Sequence, residues 1–461
     1  MNLIRQIRNK LKRSFDNIHN ERLKNNLLQA VPFWVASLLT GLIAVLYTKL
    51  FIYAENGTAY IFKHSAWLLF IITPVCFVFS WWVVSRFSRY SRGSGIPQVM
   101  AAIELATPRD DVKVNRLLSL RIIIVKMMSS LVLAFGGGVI GREGPTIQIA
   151  GSVFRKVNEW LPKWWPKISK RNMIMTGAAA GLAAAFNTPL GGIVFAVEEL
   201  TKTHISYFKT ALFTAIIIAG LTAQALVGPY LYLGYPTITN LSSYIFFGVI
   251  AVAAISGLLG SIMSKIMLGL FQWKSRFKFR YQHILYVVGC ATIVVFVAYF
   301  FDDRILGSGK NLMTHTLFTS DKYSAWYVPG LRIAGPILSF TTGAAGGVFA
   351  PSLSAGSTIG SAFSGWLHLS EANSNLLILA GMVGFLTGVT RTPFTSAILV
   401  LEMTDRHNVI FHLMLAGMVA TIVSYPVDRH SFYDHLKYQY LHEVSHEKEK
   451  EEPQLAEEEE T

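Results

Sequence analysis

The stretch AFGGGVIGREGPTIQIAG, residues 134–151, decides the fold. It is apolar enough for a membrane interior, yet glycines and Pro145 interrupt it and Arg142 and Glu143 sit inside it. Broken backbone at membrane depth survives only where it is buried in protein or lines a cavity. An acid at that depth is costly and marks a functional position. Proline is tolerated in a first helical turn, where its missing N–H had no partner to lose. The stretch therefore predicts a helix that starts near Pro145, inside an all-α polytopic membrane protein, with a carboxylate at its tip.

Composition agrees. Of 461 residues, 52% are hydrophobic and 15% are charged, against roughly 25% charged in a soluble domain. That excludes a disordered chain and argues against a soluble one. Cys76 and Cys290 lie alone in apolar runs, so neither a disulfide framework nor a metal cluster is expected. The runs 27–54, 66–84, 117–135, 205–228, 243–271, 284–301 and 408–425 approach the ~20 residues a span needs. The stretches 93–106, 136–153, 173–200, 343–366 and 376–403 are shorter or interrupted by Gly, Pro, Ser or Thr.

The net charge of +14 could signal nucleic acid, but its placement suits a membrane. Basic residues crowd 1–24, before the first span, and recur at 155–171 among Trp160, Trp164 and Trp165. Both read as cytosolic membrane-flanking segments. Four parts result: a basic amphipathic cytosolic segment (1–26), two membrane repeats (27–230 and 231–441), and an acidic cytosolic tail (442–461). Both termini are expected in the cytoplasm of a cell whose inner membrane the chain crosses many times. No nucleic-acid partner is expected.

The chain repeats itself. At an offset of 204, Gly177 meets Gly381, Thr188-Pro189 meets Thr392-Pro393, and Glu198 meets Glu402. At an offset of 206, GREGPT (141–146) meets GVFAPS (347–352), so Glu143 meets Phe349. Paired broken segments in two halves point to a transport site between them.

Three clusters share one logic: GSGIP (93–97), GREGP (141–145) and GGVFAP (346–351). Each sets proline in or near a first turn, leaving first-turn amides without partners and partly positive. Aimed at one dry spot, such tips bind an anion without a buried Lys or Arg to hold it too tightly. Ser94 can add its hydroxyl, and Val348 and Phe349 their backbone amides. The Glu143 carboxylate is itself an anion and competes for that site. Protonated, it would leave, acting as gate and proton carrier; the rival reading is a static pair with Arg142. Of the adjacent Glu198 and Glu199, Glu198 has a repeat partner and reads as structural, leaving Glu199 as the functional acid of one half. Lys126 reads as structural and needs a partner, with Glu104 as a candidate.

GSGIP, GREGPTIQIAG (141–151), AAFNTPLGGIVFAVEEL (184–200), GGVFAPSLSAG (346–356) and RTPFTSAILVLEMTD (391–405) resemble the CLC chloride channel and transporter family, closest to its bacterial chloride/proton antiporters. The resemblance implies two inverted-topology repeats of tilted, broken helices and a homodimer in lipid, with one ion pathway per subunit. It implies Glu143 as the external gating and proton-transfer acid and Glu199 as the internal proton acid. It implies chloride ligands at Ser94, Gly95, Ile96, Val348 and Phe349. It implies that serine at 94 favours chloride over nitrate. It implies a tyrosine ligand near the last helix, read as Tyr433 with Tyr425 as fallback. Chloride and protons are substrates, and no cofactor or metal is implied.

One rival remains open and a second is set aside. A passive chloride channel, gated by voltage or pH, would use the same fold and also carry Glu143. His442-Glu443-Val444-Ser445-His446 spells H-E-x-x-H, the pattern of a zinc protease, but it lies in the charged tail and the enzyme reading is set aside.

Overall fold

In the computed structural model the backbone is described for residues 21–107, 110–201, 209–228 and 231–459. Residues 1–20, most of the amphipathic segment 1–26, lie outside the described residues. In chain order the α-helices are α1 (Glu21–Ser65), α2 (Leu69–Phe87), α3 (Ile96–Glu104), α4 (Asp111–Leu117), α5 (Leu120–Phe135), α6 (Glu143–Glu159), α7 (Lys170–Phe186), α8 (Pro189–Phe195), α9 (Lys209–Val227), α10 (Ile245–Lys274), α11 (Arg280–Phe300), α12 (Lys310–Phe318), α13 (Val328–Phe340), α14 (Phe349–Trp366), α15 (Glu371–Thr390), α16 (Pro393–Thr404), α17 (Ile410–Ser424) and α18 (Phe432–Glu459).

Among the described residues, seven stretches are long and apolar enough to cross a membrane. Two boundaries differ from the sequence reading. α1 does not stop at 54 but continues to Ser65, roughly 68 Å at about 1.5 Å per residue, and carries Glu55 to the Ser308 amide (2.7 Å). The stretch 376–403 divides into α15, long enough to span by itself, and the short α16. The break falls where Arg391 turns left-handed (φ +62°) and Pro393 starts the next helix.

The Gly- and Pro-broken helices form the interior. All residues of α7 from Met173 to Phe186, and of α15 from Asn373 to Thr390, are buried. The long helices face lipid with Ile71, Val75, Phe411 and Ile422, each more than half exposed. The helices cross at the repeated glycines. A Cβ on Gly177 would stand 2.8 Å from Phe154 on α6, and one on Gly381 would collide with the Gly356 carbonyl on α14.

The two halves clasp symmetrically. Glu198 accepts from the first-turn amides of Phe394 (3.1 Å) and Thr395 (2.6 Å) on α16. Its repeat partner Glu402 accepts from Leu190 (3.1 Å) and Gly191 (2.9 Å) on α8. Each glutamate thus caps the other half's broken helix, as inverted repeats require.

Candidate functional site

Three helix starts meet, and their glycine loops are hydrogen-bonded to one another. Gly93 donates to Ala344 O (2.9 Å) and accepts from Gly346 N (3.1 Å), while Gly141 and Gly347 exchange both bonds at 2.7 Å. Ser129 adds a tie, accepting from Ala345 N (3.0 Å) and donating to Ser80 O (3.0 Å). These bonds bring the tips of α3, α6 and α14 to one place. Gly95 turns the chain into α3 at φ +105°, and a Cβ there would stand 3.0 Å from the Gly144 carbonyl of α6.

Glu143 opens α6 and is 1% exposed. Its carboxylate lies against its own amide and that of Ala350, in the first turn of α14. Its Oε2 fills the space where Gly141 would otherwise carry a Cβ, and Oε1 accepts from the Tyr232 hydroxyl (3.4 Å). The acid therefore occupies the spot that two helix starts make favourable for negative charge. Val348 and Phe349 are buried at the α14 start, and Ile96 and Gly95 at the α3 start.

Ser94 and Tyr433 are 2% and 0% exposed. Their hydroxyls face each other, but among the described residues neither reaches hydrogen-bond geometry with a partner. Buried hydroxyls without partners are rare and call for an explanation; an anion accepting from both supplies one. Tyr433 opens α18 and lies within the field of both Glu143 and Glu199. The fallback Tyr425 is 55% exposed, beneath Arg429, and does not reach the site. Glu199, on a π-helical turn after α8, is 5% exposed, while Glu198 is spent on α16.

Several residues escape the sequence reading. Tyr232, Phe186, Phe349 and Tyr433 form a chain of rings with successive centroids 5.0, 6.3 and 6.1 Å apart. It runs from the Glu143 carboxylate to the facing hydroxyls. Arg142 and Lys310 flank the Tyr232 ring at 5.9 and 4.5 Å. The partner of Lys126 is Gln148 on α6, at 2.6 Å. Glu104 instead pairs with Lys437 (3.1 Å), because α3 ends on the side facing α18. Arg92, next to Gly93, donates twice to Glu443 (2.6 and 2.7 Å), and its carbonyl accepts from Gln98 (2.7 Å). Glu443 of the H-E-x-x-H run is thus tied to Arg92, and His442 and His446 are exposed on α18.

Residues 76–425 match the family described as voltage gated chloride channel. The chain is 27% identical over 414 residues to an H(+)/Cl(-) exchange transporter ClcA of Cronobacter sakazakii, covering 85% of each. Its fold matches a slow cyanobacterial Cl-/H+ antiporter (TM-score 0.79, 23% identity, 90% of this chain and 98% of the other). It also matches a CLC-type fluoride/proton antiporter (0.73, 21%, 90% and 98%). With the broken helices, the clasped halves and three quarters of its length matched, the chain belongs to the CLC, or voltage gated chloride channel, family.

Proposed function

We propose that this protein exchanges chloride for protons across the membrane. One observation carries the reading: a buried carboxylate lies against the Glu143 and Ala350 amides in the first turns of α6 and α14, beside two buried hydroxyls that lack a partner among the described residues. Ionised, Glu143 holds the anion's place. Protonated, it loses the attraction of those amides and yields to chloride, so each exchange at the tip moves a proton one way and a halide the other. Ser94, Tyr433 and the amides of Gly95, Ile96, Val348 and Phe349 hold the halide, weakly enough to release it because none is a full cation. Glu199 passes protons to the opposite face. The ClcA relative is named for the same exchange.

The test uses purified protein in liposomes, following uphill proton movement under a chloride gradient. Proton pumping is expected; chloride flux without it would make the protein a passive channel on the same fold.

We further propose a homodimer in the inner membrane, with both termini in the cytoplasm. The basic residues before α1 support the orientation. The reciprocal caps support the dimer: Leu190 and Phe394 are 52% and 46% exposed at the starts of two broken helices, and Glu198 and Glu402 beside them are half-buried. Broken helix ends and carboxylates facing hydrocarbon need a protein cover, which a second copy supplies.

A further inference from the structure

Residues 425–431 link α17 to α18, and Tyr433 stands in the first turn of α18. Ser431 caps that helix, its Oγ accepting from the Asp434 amide (3.0 Å). The His435 amide reaches back to the Ser431 carbonyl (3.3 Å). This turn sets His435 beside the preceding loop, with Nε2 at 2.9 Å from Asp428 Oδ2. Asp428 Oδ1 accepts from the His430 amide (2.9 Å). That bond folds the loop, and the His430 and His435 rings meet edge to face, 5.6 Å apart. Among the described residues, Asp428, His430 and His435 are the three metal-ligating side chains that come together, each offering a ligand atom within 4.8 Å of the others. Bonds to zinc of about 2.0–2.2 Å put neighbouring ligand atoms of a tetrahedral site about 3.3 Å apart, so small turns of the two rings close the set. Asp428 also lines a surface cleft of about 460 Å³, through which an ion can enter. Arg391 donates to the Asp428 carbonyl (3.1 Å) and leaves the carboxylate oxygens to the His430 amide and His435. Arg429 lies over the Tyr425 ring (5.7 Å).

We propose that Asp428, His430 and His435 bind one divalent transition-metal ion, with water completing the tetrahedron. Two imidazoles with one carboxylate suit Zn²⁺, whereas Mg²⁺ and Ca²⁺ take oxygen ligands. His435 ligates through Nε2 as a neutral imidazole. The ion ties the loop that follows α17 to the first turns of α18. Tyr433 lies two residues before His435, so a bound ion holds its hydroxyl in place beside Ser94 and slows chloride passage. The binding claim stands by itself; only the effect on flux rests on the chloride-transport reading.

The full chain, purified without a polyhistidine tag, is reconstituted in phosphatidylcholine vesicles with Zn²⁺ on both faces; Co²⁺ serves as the spectroscopic probe. One ion per chain is expected to bind saturably, to give the visible absorption of tetrahedral Co²⁺, and to slow chloride efflux until a chelator is added. Loss of an outer-shell partner costs about 10–100-fold in metal affinity, so loss of a ligand in His430→Gln or His435→Gln should cost about a hundredfold. His430 is exposed, so His430→Gln keeps the fold and leaves efflux without metal unchanged. Combined His442→Gln and His446→Gln removes another close histidine pair, with Nε2 atoms 2.9 Å apart, and should leave the affinity unchanged. Absence of saturable binding, or binding undiminished in both single variants, would overturn the proposal, as would loss confined to the His442 and His446 variant. Binding that leaves efflux untouched would keep the site and overturn its hold on Tyr433. Metal binding in a protein that moves chloride without protons would count against the exchange reading alone.

Discussion

Glu143 combines charge, bulk and a titratable proton at one position, so different substitutions separate them. In Glu143→Ala the two helix tips lose their built-in anion, and chloride flux should continue while uphill proton movement stops. Glu199→Gln removes a proton acceptor without touching the tips; it should keep chloride flux and abolish proton coupling. Both are read in the same liposome assay, and retained pumping in either variant would remove that acid from the proton route. Tyr433→Phe deletes one of the two facing hydroxyls. A hydrogen bond to a charged group is worth about 1.5–3 kcal/mol, so calorimetry should show chloride binding weakened about ten- to a hundredfold. Tyr425→Phe should leave it unchanged. At this scale the sequence was legible where chemistry conflicts with surroundings: an acid in an apolar run, a serine between glycines. Tyr232 and Phe186 gave no such conflict, since rings in an apolar chain look like core. Gln148 was invisible as the partner of Lys126 because a neutral amide leaves no charge pattern.

Helices in this protein are joined by charge at their ends. Glu198 and Glu402 each stand in for a cap on a helix that lacks a side-chain cap of its own. Either alanine variant should cost about 1–2 kcal/mol, as lost N-caps do, measured as a lower melting temperature in detergent. The loss at Glu198 is expected to be the larger, because it also accepts from the Thr395 hydroxyl (2.6 Å), where Glu402 faces Gly191. Arg92 and Glu443 tie the loop bearing Ser94 to the helix bearing Tyr433. Glu443→Gln should lower stability by about 1 kcal/mol and weaken chloride binding, and the swap of Arg92→Glu with Glu443→Arg should restore part of both. The link between α17 and α18 adds a pH dependence. Burial raises the Asp428 pKa, but the His430 amide, His435 and Arg391 outweigh it and hold it below the usual carboxylate value. A depressed pKa stabilises the fold above the ordinary carboxylate range, and that contribution fades as pH falls through the depressed value. Asp428→Asn should flatten the acid side of a melting-temperature profile. Element boundaries were legible wherever Gly and Pro cluster, as at Arg391-Thr392-Pro393. The length of α1 was not, because Glu55, Asn56 and Gly57 resemble a loop; Glu55 stays helical while reaching the Ser308 amide, and Gly57 packs on Phe135.

Across the whole molecule, the duplication was readable as two nearly equal offsets, and the clasp bears it out in particular atoms: the pair aligned as Glu198 and Glu402 trade caps, and the pair aligned as Gly141 and Gly347 trade backbone bonds. Contacts between residues far apart in sequence, such as Arg92 with Glu443, were not readable, since nothing local to either predicts the other. The Gly141–Gly347 pairing also bears on how the device tells inside from outside. The glycines are equivalent, but two positions later one copy has an acid and the other a phenylalanine. On the proposed exchange, sidedness thus draws on this asymmetry together with that of Glu199, which aligns with Met403. Exchanging those two residues, Glu143→Phe with Phe349→Glu, would carry the acid to the opposite half's tip, and the bulk solution whose acidity governs its protonation would change from one side of the bilayer to the other.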